Sequence, residues 1–130
     1  SLYTYWRRMA LHPTMELLDA PSRAMCTVKR NSANLPTQAL VTLNDPIFVE
    51  TARQLANRLI TEVPKDSSAR LDRAFQLCLS RLPDQEERKR LLSFIDTQLS
   101  RYADLPSPEK AAWQSVASVL LNLDETLNRP

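Results

Sequence analysis

One histidine, His12, and two cysteines, Cys26 and Cys78, are the side chains best suited to nucleophilic or metal chemistry in this 130-residue chain. Their spacing assembles none of the common versions. Covalent haem attachment needs Cys-x-x-Cys-His, and the two cysteines stand 52 positions apart. His12 with Met9, Met15 or Met25 supplies axial-ligand types, but a lone histidine beside Pro13 is ordinarily a surface or hydrogen-bonded residue. Structural zinc wants four ligands, more than this set provides. A triad hydrolase would have to use His12 as its base, with no nucleophile motif nearby. Cys–His chemistry through Cys26 has no positive support.

Glycine is missing altogether, where average usage of about 7% would give roughly nine. Loops that cradle phosphate need backbone to approach the ligand closely, and a Cβ obstructs this. The composition therefore excludes a standard P-loop, a dinucleotide fingerprint and a nucleophile elbow. It also removes the favoured two-residue hairpins, which need positive φ. Nine prolines punctuate the chain instead.

What remains is a polar string. Asp19, Cys26, Lys29, Arg30, Asn34, Gln38, Asn44 and Asp45 are the candidate ligand-binding residues, with Arg23 in the same run. Planar hydrogen-bonding groups of this kind could line a cleft for a polar ligand such as a sugar. They could also tie a long irregular segment to helix ends, since its backbone groups need partners, and for most of them this structural role is the favoured one. Asp45 has a sufficient structural explanation as a helix cap. Arg30 and Gln38 have none of that kind.

The elements that must position these residues are helices, and the predicted fold is all-α. It is an antiparallel bundle of about four main helices, with short N-terminal helices and a long irregular N-terminal loop. One domain is expected over residues 1–130, with 1–44 irregular or short-helical and 45–130 the bundle. Asp45 and Pro46 open a helix, and Phe48, Ala52, Leu55 and Leu59 recur on one face until Pro64 ends it. A second helix is expected from about Ser67 to Leu82, with Leu71, Ala74, Phe75, Cys78, Leu79 and Leu82 inward and Arg70, Arg73 and Gln76 toward water. Asp84 and Glu87 have capping-box spacing, and Asp84–Arg88 and Glu86–Arg90 are i,i+4 pairs. Leu91, Leu92, Ile95, Leu99 and Tyr102 form that helix's buried stripe. Ser107 and Pro108 open the last helix, which buries Trp113, Val116, Ala117, Leu120 and Leu121. Upstream, Leu2–Met9 and Gln38–Leu43 read as short helices. Pro13 to Pro36 has no period, and Leu17, Leu18, Met25 and Val28 are expected to pin it.

Hydrophobic content of 43% with 25% charge is ordinary for a folded globular chain. Net charge is +2, and no concentrated basic face marks a nucleic-acid partner. No apolar run approaches the roughly 18 residues of a membrane span. Ser1 stands where a complete chain would begin with Met, so a piece of a longer protein is expected.

Residues Leu18 to Arg53 resemble the domain of unknown function numbered 1553, a family abundant in planctomycetes and related bacteria. The matching elements are Asp19-Ala20-Pro21, Cys26, Lys29-Arg30, Asn34, Pro36, Gln38-Ala39-Leu40 and Leu43-Asn44-Asp45-Pro46. Downstream, Arg81, Pro83 and Glu87 match its Arg-x-Pro…Glu element. Trp113, Leu120-Leu121-Asn122 and Glu125 resemble its closing motif, from which Asp124 and Thr126 depart. The match looks like the C-terminal part of the family domain.

The resemblance implies an exported, multidomain bacterial protein, hence a periplasmic or extracellular address, but no reaction. Export leaves open a Cys26–Cys78 disulfide, while Cys78 on an apolar helix face would pack equally well as a free thiol. The leading expectation is a non-catalytic interaction or scaffold module whose partners are other domains of the parent protein, with a polysaccharide or second protein also possible. It needs no cofactor, binds no nucleic acid and inserts in no membrane. The rival is part of a ligand-binding or catalytic region, polysaccharide-related or redox, whose main catalytic groups lie upstream.

Overall fold

The computed structural model of the chain describes residues 5, 10–21, 25, 26, 28 and 35–127. Among the described residues there are seven helices and no strand: α1 (Pro13–Leu17), α2 (Pro36–Asn44), α3 (Pro46–Glu62), α4 (Ser67–Leu79), α5 (Gln85–Arg101), α6 (Pro108–Leu121) and α7 (Asp124–Leu127). The all-α reading holds, and α3 to α6 are its four main helices. The chain divides into two compact units, Ser1–Val41 and Thr42–Pro130, with the division falling inside α2.

In the first unit, α1 starts at Pro13, where a missing N–H costs nothing. The Met15 and Glu16 amides bond to the His12 carbonyl. Five residues are too few to show an apolar stripe, so periodicity could not reveal this helix inside the expected irregular stretch. The chain leaves it through Leu18 and then Asp19, whose φ of 55° is left-handed. Of the four expected pins, Leu18 is half-buried. Met25 and Val28 lie in the open, 81% and 101% exposed, and Leu17 is also exposed. Apolar type does not oblige a side chain to be inside. The expected Leu2–Met9 helix lies outside the described residues apart from exposed Tyr5.

In the second unit the caps act largely as expected. Asp45 Oδ1 accepts the Ile47 amide at 2.9 Å, and Pro46 takes the first helical position. Asp66 does the same for Ser68 at the start of α4, also at 2.9 Å. Asp84 and Glu87 form the capping box of α5. Ser107 is the exception, since its side chain makes no capping bond; α6 starts on Pro108, with the Ala111 amide on the Ser107 carbonyl.

The core holds Ala56 and Leu59 of α3, Leu71, Ala74 and Phe75 of α4, Ile95 of α5, and Trp113, Val116 and Leu120 of α6. Fully burying each large apolar side chain stabilises by about 1.5–3 kcal/mol. α6 packs against both α3 and α5 and carries the largest buried ring, Trp113.

Three expectations about α4 and α5 are corrected. α4 stops at Leu79, because Ser80 turns left-handed with φ 59°, and Leu82 beyond it is exposed. Arg70, expected to face water, is 1% exposed. Arg88 does not pair with Asp84. Its two Nη atoms meet the carboxylate oxygens of Asp72 at 2.6 and 3.2 Å, and Nη1 also donates to Ser68 Oγ at 2.6 Å, joining α5 to α4.

Candidate functional site

Two members of the polar string meet. Gln38, in the first half of α2 and 7% exposed, donates from Nε2 to Asp19 Oδ2 at 3.0 Å. The left-handed turn after α1 is what presents Asp19 to a residue 19 positions away. Asn44, the last residue of α2, is exposed, and Asp45 caps α3. Cys26 is an exposed free thiol. Lys29, Arg30 and Asn34, together with Arg23, lie outside the described residues. Cys78 is a half-buried free thiol whose pKa is raised by desolvation, so it reacts poorly as a nucleophile.

Among the described residues, the densest ionic cluster sits in the second unit, at the turn between α4 and α5. Arg81 faces the Glu87 carboxylate with both Nη atoms, each at 2.8 Å. It holds Glu125 of α7 through Nε at 2.9 Å and Nη2 at 2.8 Å. Nη1 also donates to the Leu82 carbonyl at 3.1 Å, and the guanidinium lies 5.3 Å from the Phe75 ring centre. A guanidinium has five N–H donors, and each is used here. Glu87 Oε2 additionally accepts the Asp84 amide at 2.8 Å. Arg81, then that amide, pull the Glu87 pKa from 4.5 down to about 2. Arg81 likewise lowers Glu125, and the two carboxylates raise Arg81. Both acids are therefore locked as anions, poorly suited to proton transfer near neutral pH.

Arg70 is the second cluster's centre. Its Nε donates to the Val63 carbonyl at 2.8 Å, Nη2 to the Pro64 carbonyl at 3.0 Å, and Nη1 to Glu109 Oε1 at 2.7 Å. The guanidinium stacks 4.9 Å from the Trp113 ring centre. It thus holds the chain just past the end of α3, at the C-cap Val63 and at Pro64, and ties that turn to α6. Thr42 Oγ1 donates to Asn122 Oδ1 at the other end of α6.

The family resemblance singles out Arg81, Glu87 and Glu125 without joining them, and helical spacing sets Arg70 toward water. A usable signal existed: Arg70 lies one turn before Ala74, on the stripe that Leu71 and Phe75 share. Among the described residues, no group of three or more His, Cys, Asp or Glu is placed to hold a metal ion. No described helix is long and apolar enough to cross a membrane.

A family model described as PSD1, a protein of unknown function (DUF1553), matches residues 1–95. No curated protein and no solved structure matches the chain.

Proposed function

From the chain's membership of the PSD1 family of unknown function (DUF1553), to which it belongs, we propose that it is a non-catalytic interaction module docking other domains of a larger exported protein. The observation that carries this reading is the complete use of the Arg81 fork. Five N–H donors and two carboxylates in one cluster would be a ready substrate clamp, but every donor is directed at the chain's own acceptors. The motif residues Arg81, Glu87, Asn122 and Glu125 all make bonds between or within helices. Such residues build a rigid body that presents a surface.

The test produces this chain and the remainder of the parent protein separately and measures their association by titration calorimetry. Saturable one-to-one binding is expected. No association, together with hydrolytic or redox turnover by this chain alone, would overturn the reading. A second reading, that the chain forms part of a ligand-binding region, draws on the meeting of Asp19 with Gln38. A screen of the chain against soluble polysaccharides and haem addresses it, and Gln38→Leu should then abolish any binding found.

A further inference from the structure

The groove between α3, α5 and α6 has a volume of about 630 Å³, a size typical of small-ligand sites. Its floor holds Gln98, which is 7% exposed, so nine-tenths of it is buried. What little is exposed lines the groove, and the side-chain amide makes no hydrogen bond to any described residue. Neither of its amide atoms is sealed from solvent, so both stay open to a ligand in the groove. One turn before it on α5 stands Phe94, and one turn after it Arg101, both lining the groove. Arg101 is exposed and forms no ion pair with any described residue. The walls carry open aliphatics beside the half-buried rings of Phe94 and Tyr102: Val49 of α3 is 41% exposed and Val119 of α6 37%. Helical periodicity makes this arrangement, since residues three and four apart share a face of each helix.

We propose that this groove binds a short extended peptide segment carrying an acidic residue between aliphatic ones. The primary amide of Gln98 offers a donor and an acceptor together, which matches the carbonyl and N–H of one peptide group. Arg101 supplies the fork for a carboxylate. Val49, Phe94 and Val119 receive the aliphatic side chains. The proposal deepens the interaction-module reading and rests on it, by naming where the module would hold its partner.

The experiment titrates the whole ¹⁵N-labelled chain with acetyl-Leu-Glu-Leu-amide, and in parallel with the Lys-centred and Gln-centred versions. The expected result is a saturable shift of the Gln98 side-chain NH₂ signal and of backbone amides in α5 and α6, with the Glu peptide binding at least fivefold more tightly than either control. Gln98→Leu and Arg101→Gln should each weaken the Glu peptide at least fivefold while leaving the helical circular dichroism unchanged. Equal shifts with all three peptides, or none at millimolar peptide, would mean a hydrated surface groove and overturn the proposal. Concentration-dependent dimerisation abolished by Gln98→Leu would overturn it in favour of a second copy. Association with the rest of the parent protein that survives Gln98→Leu would sink the groove and leave the module standing. Peptide binding without that association would sink the module alone.

Discussion

Arg70→Met should be among the most damaging single changes in this chain. Methionine retains most of the stem volume but removes three charge-assisted hydrogen bonds, at 2.7, 2.8 and 3.0 Å, and the stack on Trp113. Glu109 is 53% exposed on its side chain, so it rehydrates and strands no buried charge. The Val63 and Pro64 carbonyls are the serious loss. A hydrogen bond to a charged group contributes about 1.5–3 kcal/mol, and no longer having to desolvate a guanidinium offsets part of this. A net loss of about 3 kcal/mol is expected, or a fall in Tm of roughly 10 °C for a chain of this length. Urea unfolding followed by circular dichroism at 222 nm measures it. The control is Glu109→Gln, which removes only the half-exposed ion pair and should cost under about 1 kcal/mol, vanishing in 1 M salt. A cost below about 1 kcal/mol for Arg70→Met, or an equal cost for the two variants, would refute the claim that the Val63 and Pro64 carbonyls need this guanidinium.

Glu87 has a folded pKa below its unfolded value of 4.5, so its contribution is full above that pH and is lost as pH falls toward about 2. With the side chain 36% exposed, solvent screening reduces the contribution to about 1 kcal/mol, and Glu87→Gln should flatten acid unfolding across that window. Asp45→Ala removes the bond to the Ile47 amide and should cost about 1 kcal/mol by urea unfolding. Ser80→Gly relieves a left-handed residue at φ 59° and should raise stability by up to about 1 kcal/mol, whereas Ser80→Val should lower it. Under native conditions a thiol reagent should label exposed Cys26 promptly and half-buried Cys78 only on unfolding; equal rates would contradict the packing of α4.

The helix starts were legible where a cap is local chemistry. Asp45-Pro46 and Asp84…Glu87 each need only a side chain and an amide two or three residues away. Stripes of apolar type also placed Leu59, Leu71, Ile95 and Leu120 correctly inside. Charged and uncharged exceptions were not legible by type: Arg70 was set outside because it is an arginine, although its position lies on the buried stripe. Leu82 was set inside because it is apolar, although α4 ends three residues earlier. Ser107 looks like a cap and does not act as one, since its backbone, at φ −144° and ψ 70°, does not bring the hydroxyl to a free amide. Gln98 is not legible by type either, since Leu99 beside it fills the expected stripe. Of the polar string, the Asp19–Gln38 bond spans 19 residues and depends on a left-handed turn that no local pattern announces.

The Arg81 fork joins partners at two very different distances along the chain, six residues for Glu87 and 44 for Glu125. Loop-closure entropy grows with the logarithm of that separation, so the longer contact costs roughly 2 kcal/mol more to close. On loop entropy alone, the Glu87 contact is expected to form before the Glu125 contact. Glu87 can engage as soon as the first turn of α5 forms, and it fixes the orientation of the guanidinium. Glu125 then meets a fork already aimed. Such an order would make the cluster a latch, in which the local pair prepares the place where the distant helix end fastens.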